Sequence, residues 1–121
     1  MKITHTQDRM TTLEILIKQA INATVKKTTS FKQSGNTFCG SVTSASITVI
    51  SHSLSSFDQE ERTGHIDGTF EADIQISQVI QAGKDYGEKI APYSTKELSF
   101  SLEMVNGIVQ DVIIETPIKL L

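Results

Sequence analysis

From His65 to Ile76 apolar and polar positions alternate without a break. Ile66, Gly68, Phe70, Ala72, Ile74 and Ile76 fall on one side, His65, Asp67, Thr69, Glu71, Asp73 and Gln75 on the other. Side chains in a strand point to opposite faces in turn, so this rhythm predicts a long strand with one buried face. Val42 to Ser56 predicts a second long strand. It carries Ala45, Ile47 and Val49 on one face and Ser44, Ser46, Thr48 and His52 on the other. The polar segment Asp58 to Gly64 predicts the turn between them.

The rhythm is different at the start of the chain. Leu13, Leu16, Ile17, Ala20, Ile21 and Thr24 recur at three and four residues, which marks one face of a helix. Thr11 and Glu14 have the spacing of a capping box, and Met10 and Ile15 that of a hydrophobic staple. Lys26 and Lys27 lie where the helix dipole favours cations. The expected helix runs from about Thr12 to Lys27.

Three further segments complete the pattern. Ser34-Gly35-Asn36 between Phe31 and Phe38 predicts a short hairpin over 31–40. Ser77 to Tyr93 carries Val79, Ile80 and Tyr86 but also Gly83 and Gly87. It reads as a short irregular helix or a crossing loop, ended by Pro92. Near the C-terminus Leu98, Phe100, Leu102 and Met104 form one face of a strand, and Asn106-Gly107 turns it back. A two-residue turn would set Leu102 opposite Asp111. A three-residue loop Val105-Asn106-Gly107 with a bulge sets Met104 opposite Ile108, Phe100 opposite Val112 and Leu98 opposite Ile114, leaving only Gln110 out of place. The bulged register is the expectation.

Together these elements predict one α+β domain over 1–121, with the N-terminal amphipathic helix packed on an antiparallel sheet of four to six strands. Strands of ten or more residues do not stay flat. A strongly curved sheet wrapped around the helix is therefore expected, as in cystatin-like or NTF2-like rolls. That likeness is architectural and implies no function.

Composition narrows the picture. Isoleucine outnumbers leucine 15 to 7, which favours sheet over helix. The net charge of −3 argues against a nucleic-acid partner, which would call for a basic surface, and gives no attraction to anionic lipid. With one cysteine, Cys39, a disulfide scaffold is excluded. No signal peptide and no apolar run of membrane-spanning length is visible, so a soluble cytoplasmic protein is expected.

The candidate chemistry is sparse. His65, Asp67, Glu71 and Asp73 share the polar side of their strand. An antiparallel pairing across the 57–64 loop would bring His52 near Thr69 on that side, so a metal site at His52, His65 and Asp67 is conceivable beside an ordinary solvated face. Cys39 could be a loop nucleophile given a histidine nearby, although a lone cysteine beside Phe38 more often packs as a small hydrophobe. Gly83-Lys84-Asp85-Tyr86-Gly87 lacks the spacing of a phosphate loop, and no Gly-x-Ser-x-Gly elbow occurs. Tyr86 and Tyr93 suit either a binding surface or sheet-edge packing. Val109 and Ile113 beside polar neighbours, with the apolar end Ile118, Leu120 and Leu121, suggest a protein interface.

No cofactor is expected. The first expectation is a non-enzymatic protein-interaction domain of chaperone, immunity, adaptor or assembly-subunit type, binding a protein partner and itself as a homo-oligomer. The second is a curved-sheet pocket binding a small ligand or acting as an enzyme, with Gly68 and Ala72 leaving either a cavity or room for the helix. The third is the metal site.

Overall fold

The computed structural model describes the backbone from Lys2 to Leu121 and the side chains of residues 12–81 and 83–121. One helix, α1 (Lys2–Lys27), precedes nine strands: β1 (Ser30–Gln33), β2 (Asn36–Cys39), β3 (Ser41–Ser53), β4 (Phe57–Asp58), β5 (Thr63–Ala82), β6 (Asp85–Ser94), β7 (Leu98–Val105), β8 (Ile108–Ile114) and β9 (Ile118–Lys119). The architecture is α+β, with the helix on a mostly antiparallel sheet. Among the described residues no helix is long and apolar enough to cross a membrane.

The helix buries Leu13, Ile17, Ile21 and Val25, each one turn after the last. Burying a side chain such as Ile17 is worth about 2 kcal/mol. Leu16 and Ala20 widen the stripe, and the backbone packs against β3 and β8. The end expected at Lys27 is the end observed, where Thr28 donates its N–H to the Val25 carbonyl and its hydroxyl to that of Thr24. The start is not the one expected. Helical backbone continues ten residues upstream to Lys2, so Thr11 lies inside the helix and does not cap it. The expected contacts of Thr11 and Met10 fall outside the described side chains, and Ile15, the other half of the staple, is exposed.

β5 organises the main sheet, whose path is β3-β5-β7-β8. One edge of β5 takes β4 at Thr63–Gly64 and β3 along Asp67–Ser77. The other edge takes β7 along Gly64–Phe70 and β6 along Asp73–Ala82. The predicted rhythm holds: Ile66, Phe70, Ala72, Ile74 and Ile76 are buried, and the intervening residues are not. Gly68 shares the inner side and borders a depression of about 450 Å³ with Phe100, Ile113 and Ile114, but it is no seat for the helix. A Cβ there would stand 2.0 Å from the Ser51 carbonyl oxygen and 2.9 Å from Cε1 of Phe100. The position is bare because the backbone of β3 and the ring of Phe100 already occupy the space.

The hairpin over 31–40 forms as expected, with positive φ at Ser34 and Gly35. Its outcome was not foreseen. β1 also pairs in parallel with β9, giving a second, three-stranded sheet in the order β2-β1-β9. The two sheets meet at Thr95. Its N–H donates to the Ala72 carbonyl, its hydroxyl accepts the Ala72 N–H at 2.9 Å, and it bridges to Leu120. Phe38 stacks on Phe31 and meets the Tyr93 ring at a tilt, with centroids 5.5 and 5.9 Å away. The approach to β9 is held by Lys119, whose Nζ lies 2.9 Å from Glu115 Oε2. That hydrogen bond holds the Glu115 carboxyl below its usual range.

Two expectations fail in register or type. In the last hairpin Val105 faces Ile108, so the turn is the two-residue Asn106-Gly107, with φ of 50° and 80°. These are the values a type I′ turn calls for. The extra residue enters higher up: Met104 faces Val109 but Glu103 faces Asp111, leaving Gln110 as the bulge. Phe100 consequently meets Ile114 rather than Val112, and the apolar faces are realigned within the strand instead of at the turn. The larger correction is 77–93, which is neither helix nor crossing loop. β5 runs on to Ala82, turns at Gly83-Lys84 and returns as β6. Gly83 has a φ of 65°, which suits the first central position of a type II′ turn. Pro92 lies within β6 and does not end it. β6 pairs only with β5, and an edge strand tolerates a residue without an N–H.

Candidate interaction surface

β3 ends its pairing at Ser41 opposite Ser77, so beyond that point β5 and β6 continue as a two-stranded ribbon. Every described residue from Val79 to Ile90 is exposed. Cross-strand partners share a face, so Ser77 and Ile90, Val79 and Glu88, and Gln81 and Tyr86 lie on the side continuous with Asp73, Gln75 and Pro92. Three large apolar side chains stand on this outer side: Val79 is 77% exposed, Tyr86 71% and Ile90 52%. Ile80 lies on the opposite side, also exposed. The Ser77 hydroxyl donates to Glu88 Oε1 at 2.6 Å and ties the two strands at the base. A two-stranded ribbon alone is marginal in water, and no described residue outside it covers this one.

Next to the ribbon lies a depression of about 620 Å³. It is lined by three cross-strand triads, Ser44–Gln75–Pro92, Ala45–Ile74–Tyr93 and Ser46–Asp73–Ser94. The Ser94 hydroxyl donates to Asp73 Oδ1 at 2.7 Å, so its one carboxylate is engaged. A second depression, about 490 Å³, lies between Lys18, Asn22 and Lys26 of the helix and Ala45 to Ile47 of β3. There Asn22 Nδ2 donates to the Ala45 carbonyl at 2.8 Å and shields part of the β3 edge. Neither depression is lined by a histidine or by Cys39.

The residues singled out from the sequence are dispersed. His65 and Asp67 do share the outer side of β5, with His65 Nε2 3.5 Å from Glu103 Oε2. His52 is not with them. A bulge between Val49 and Ser51 advances the register by one, so Ser51 faces Thr69 and His52 faces Gly68 on the inner side. Among the described residues no three of His, Cys, Asp and Glu come together as a metal site requires. Cys39 is exposed at the end of β2, rather than packed as a small hydrophobe.

The expected interface splits in the same way. Ile118 and Leu120 are 0% and 2% exposed, packed in the protein's own core, because β9 pairs with β1. Val109 is drawn to the inner side opposite Met104 by the Gln110 bulge and is half-buried. Only Ile113 and Leu121 are exposed. The residues that dominate the open surface, Val79, Tyr86 and Ile90, were not in the expected set. Their signal was the apolar run continuing from Ile76 through Val79-Ile80, followed at Gly83 by a glycine fit for a hairpin turn. No protein-family profile, curated protein or solved structure matches the chain.

Proposed function

We propose that the protein is a non-enzymatic interaction domain that binds a protein partner, itself included, through the β5–β6 ribbon. One observation carries this reading: Val79, Tyr86 and Ile90 stand exposed on one side of a ribbon that the rest of the fold leaves uncovered. Exposed aromatic and aliphatic side chains gathered on one side mark a contact surface. A protein partner fits better than a nucleic acid, because the ribbon's charges are balanced, with Lys84 and Lys89 against Asp85 and Glu88. The assembly-subunit form of the reading is favoured over chaperone, immunity or adaptor forms, since the exposed surface is a projecting strand pair and not a groove.

The same reading keeps the sheet as a curved roll about the helix, of the cystatin or NTF2 kind by analogy. The packing of α1 on both β3 and β8 supports it. A pocket function has less support, because the three depressions at the sheet, one of them about 450 Å³ beside Gly68, Phe100 and Ile113, are open and none is lined by a histidine or by Cys39. The metal reading is weaker still once His52 turns to the inner side.

Size exclusion with light scattering over a concentration series tests the proposal. The wild-type chain is expected to show a mass above that of one chain. Val79→Ser with Tyr86→Ser is expected to return it to the monomer with an unchanged circular dichroism spectrum. A chain that stays monomeric at every concentration overturns self-association.

A further inference from the structure

The outer edge of β6 carries a more specific prediction, which rests on the reading just given. Ala82 and Asp85 close the two-residue turn and so form a hydrogen-bonded pair. Bonding alternates along an antiparallel strand, so Gly87, Lys89 and Ala91 bond to β5. Tyr86, Glu88 and Ile90 then turn their N–H and C=O groups outward, to a free edge. Pro92 is next in the outward series, where its missing N–H costs no ladder bond.

We propose that two copies join by antiparallel pairing of these β6 edges about a two-fold axis at Gly87. Closed two-fold pairing is the commonest way identical chains associate. Outward groups must face outward groups, which leaves only a few registers, and charge separates them. With the axis at Gly87, Asp85 faces Lys89 of the second copy and Lys89 faces Asp85. Tyr86 and Glu88 exchange ladder bonds, and Tyr86 lies diagonal to Ile90 of the second copy, within reach of an aromatic side chain. With the axis at Glu88, that carboxylate faces its own copy. At Lys89 the ammonium does, and Tyr86 meets Pro92. At Ile90, Glu88 meets Pro92 and ladder bonds are lost. At Tyr86 the overlap shrinks to Asp85–Gly87, and Tyr86 alone keeps a ladder partner within the strand. The Gly87 register overlaps only from Asp85 to Lys89, but of the registers that pair wholly within β6 it alone sets opposite charges face to face. It converts two marginal ribbons into one four-stranded sheet, with Val79, Tyr86 and Ile90 of both copies on the same side.

The test is sedimentation of the full chain with Asp85→Lys, Lys89→Asp and the double exchange. Each single substitution sets like charges opposite each other twice, by symmetry, and is expected to weaken self-association about tenfold. The double exchange restores opposite charges and is expected to return near the wild-type value. Amide hydrogen exchange on the wild-type chain gives a second readout that no variant can spoil. The N–H groups of Tyr86 and Glu88 gain protection as concentration rises and that of Ile90, which falls opposite the turn, does not, whereas Gly87 and Lys89 are protected throughout. Association that ignores the charges, or that protects Val79 and Gln81 on the β5 edge instead, overturns the inference and leaves self-association standing. A chain that is monomeric throughout overturns both.

Discussion

The two halves of β5 differ in what flanks them, not in their hydrophobic content. From Gly64 to Ile76 the strand has neighbours along both edges, and its apolar residues are buried. From Gln78 to Ala82 it has only β6, and Val79 and Ile80 face solvent. A buried side chain is therefore a property of what lies over the strand. The first half should answer to substitution as a core does, the second as a surface does.

The sharpest contrast is between two glycines. Gly68→Val would drive a side chain into the Ser51 carbonyl, and backbone cannot move aside as a side-chain tip can. A loss of about 3 kcal/mol or more is expected, up to failure to fold. At Gly87 an added Cβ would meet only Cγ1 of Ile80, at 3.9 Å, so Gly87→Ala is expected to stay within about 0.5 kcal/mol. Urea denaturation of both variants measures the difference, and equal midpoints would erase the distinction between the halves.

A comparable loss is expected from Phe70→Ala, about 3 to 5 kcal/mol, since Phe70 is fully buried and packs on Phe100 with centroids 6.2 Å apart. Val79→Ser, nine residues on along the same strand, should leave monomer stability within about 0.5 kcal/mol and alter only association. Thr95→Val comes next. It removes the acceptor of the Ala72 N–H inside the protein, and a cost of about 1 to 3 kcal/mol is expected by the same denaturation assay.

How far the sequence revealed this division depends on the local environment. Where one side is covered and the other wet, as from His65 to Ile76, the pattern names the strand and its face together. Where a turn demands positive φ, as at Ser34-Gly35 and Asn106-Gly107, the hairpin is legible too. Beyond Ser77 both sides are wet, so no in-out rhythm exists to be read. Val79 and Ile80 stand side by side, and two glycines imitate a loop. Bulges were equally silent. The one between Val49 and Ser51 removed His52 from the expected cluster, and the one at Gln110 displaced Val109. A bulge arises from the fit between strands, which neither strand's own sequence contains. The pairing of β9 with β1 joins residues nearly ninety positions apart, so the burial of Ile118 and Leu120 had no local sign either.

The smallest expected effect lies in the body. The Glu115 carboxyl is lowered by its hydrogen bond from Lys119 and less so by that from the Ser99 N–H. A carboxyl lowered in the folded state adds stability above its unfolded pKa, and that stability is lost as the pH falls through the folded value. Both side chains are partly exposed, so the contribution is slight. In an NMR titration Lys119→Met should move the Glu115 midpoint upward. An unmoved midpoint would remove the role given to Lys119.

The length of the ribbon has a consequence for how the protein can change. Five paired residues beyond Ser77, at about 3.4 Å each, set the tip roughly 17 Å past Ser41, where β3 begins. Stand-off of that size frees the tip from any duty in folding. If the ribbon is the proposed contact surface, mutations there are filtered by binding and hardly at all by stability, while the stretch from Gly64 to Ile76 is filtered the other way. On that reading a single strand holds two separately evolvable traits, and a partner could be exchanged without rebuilding the domain that carries it.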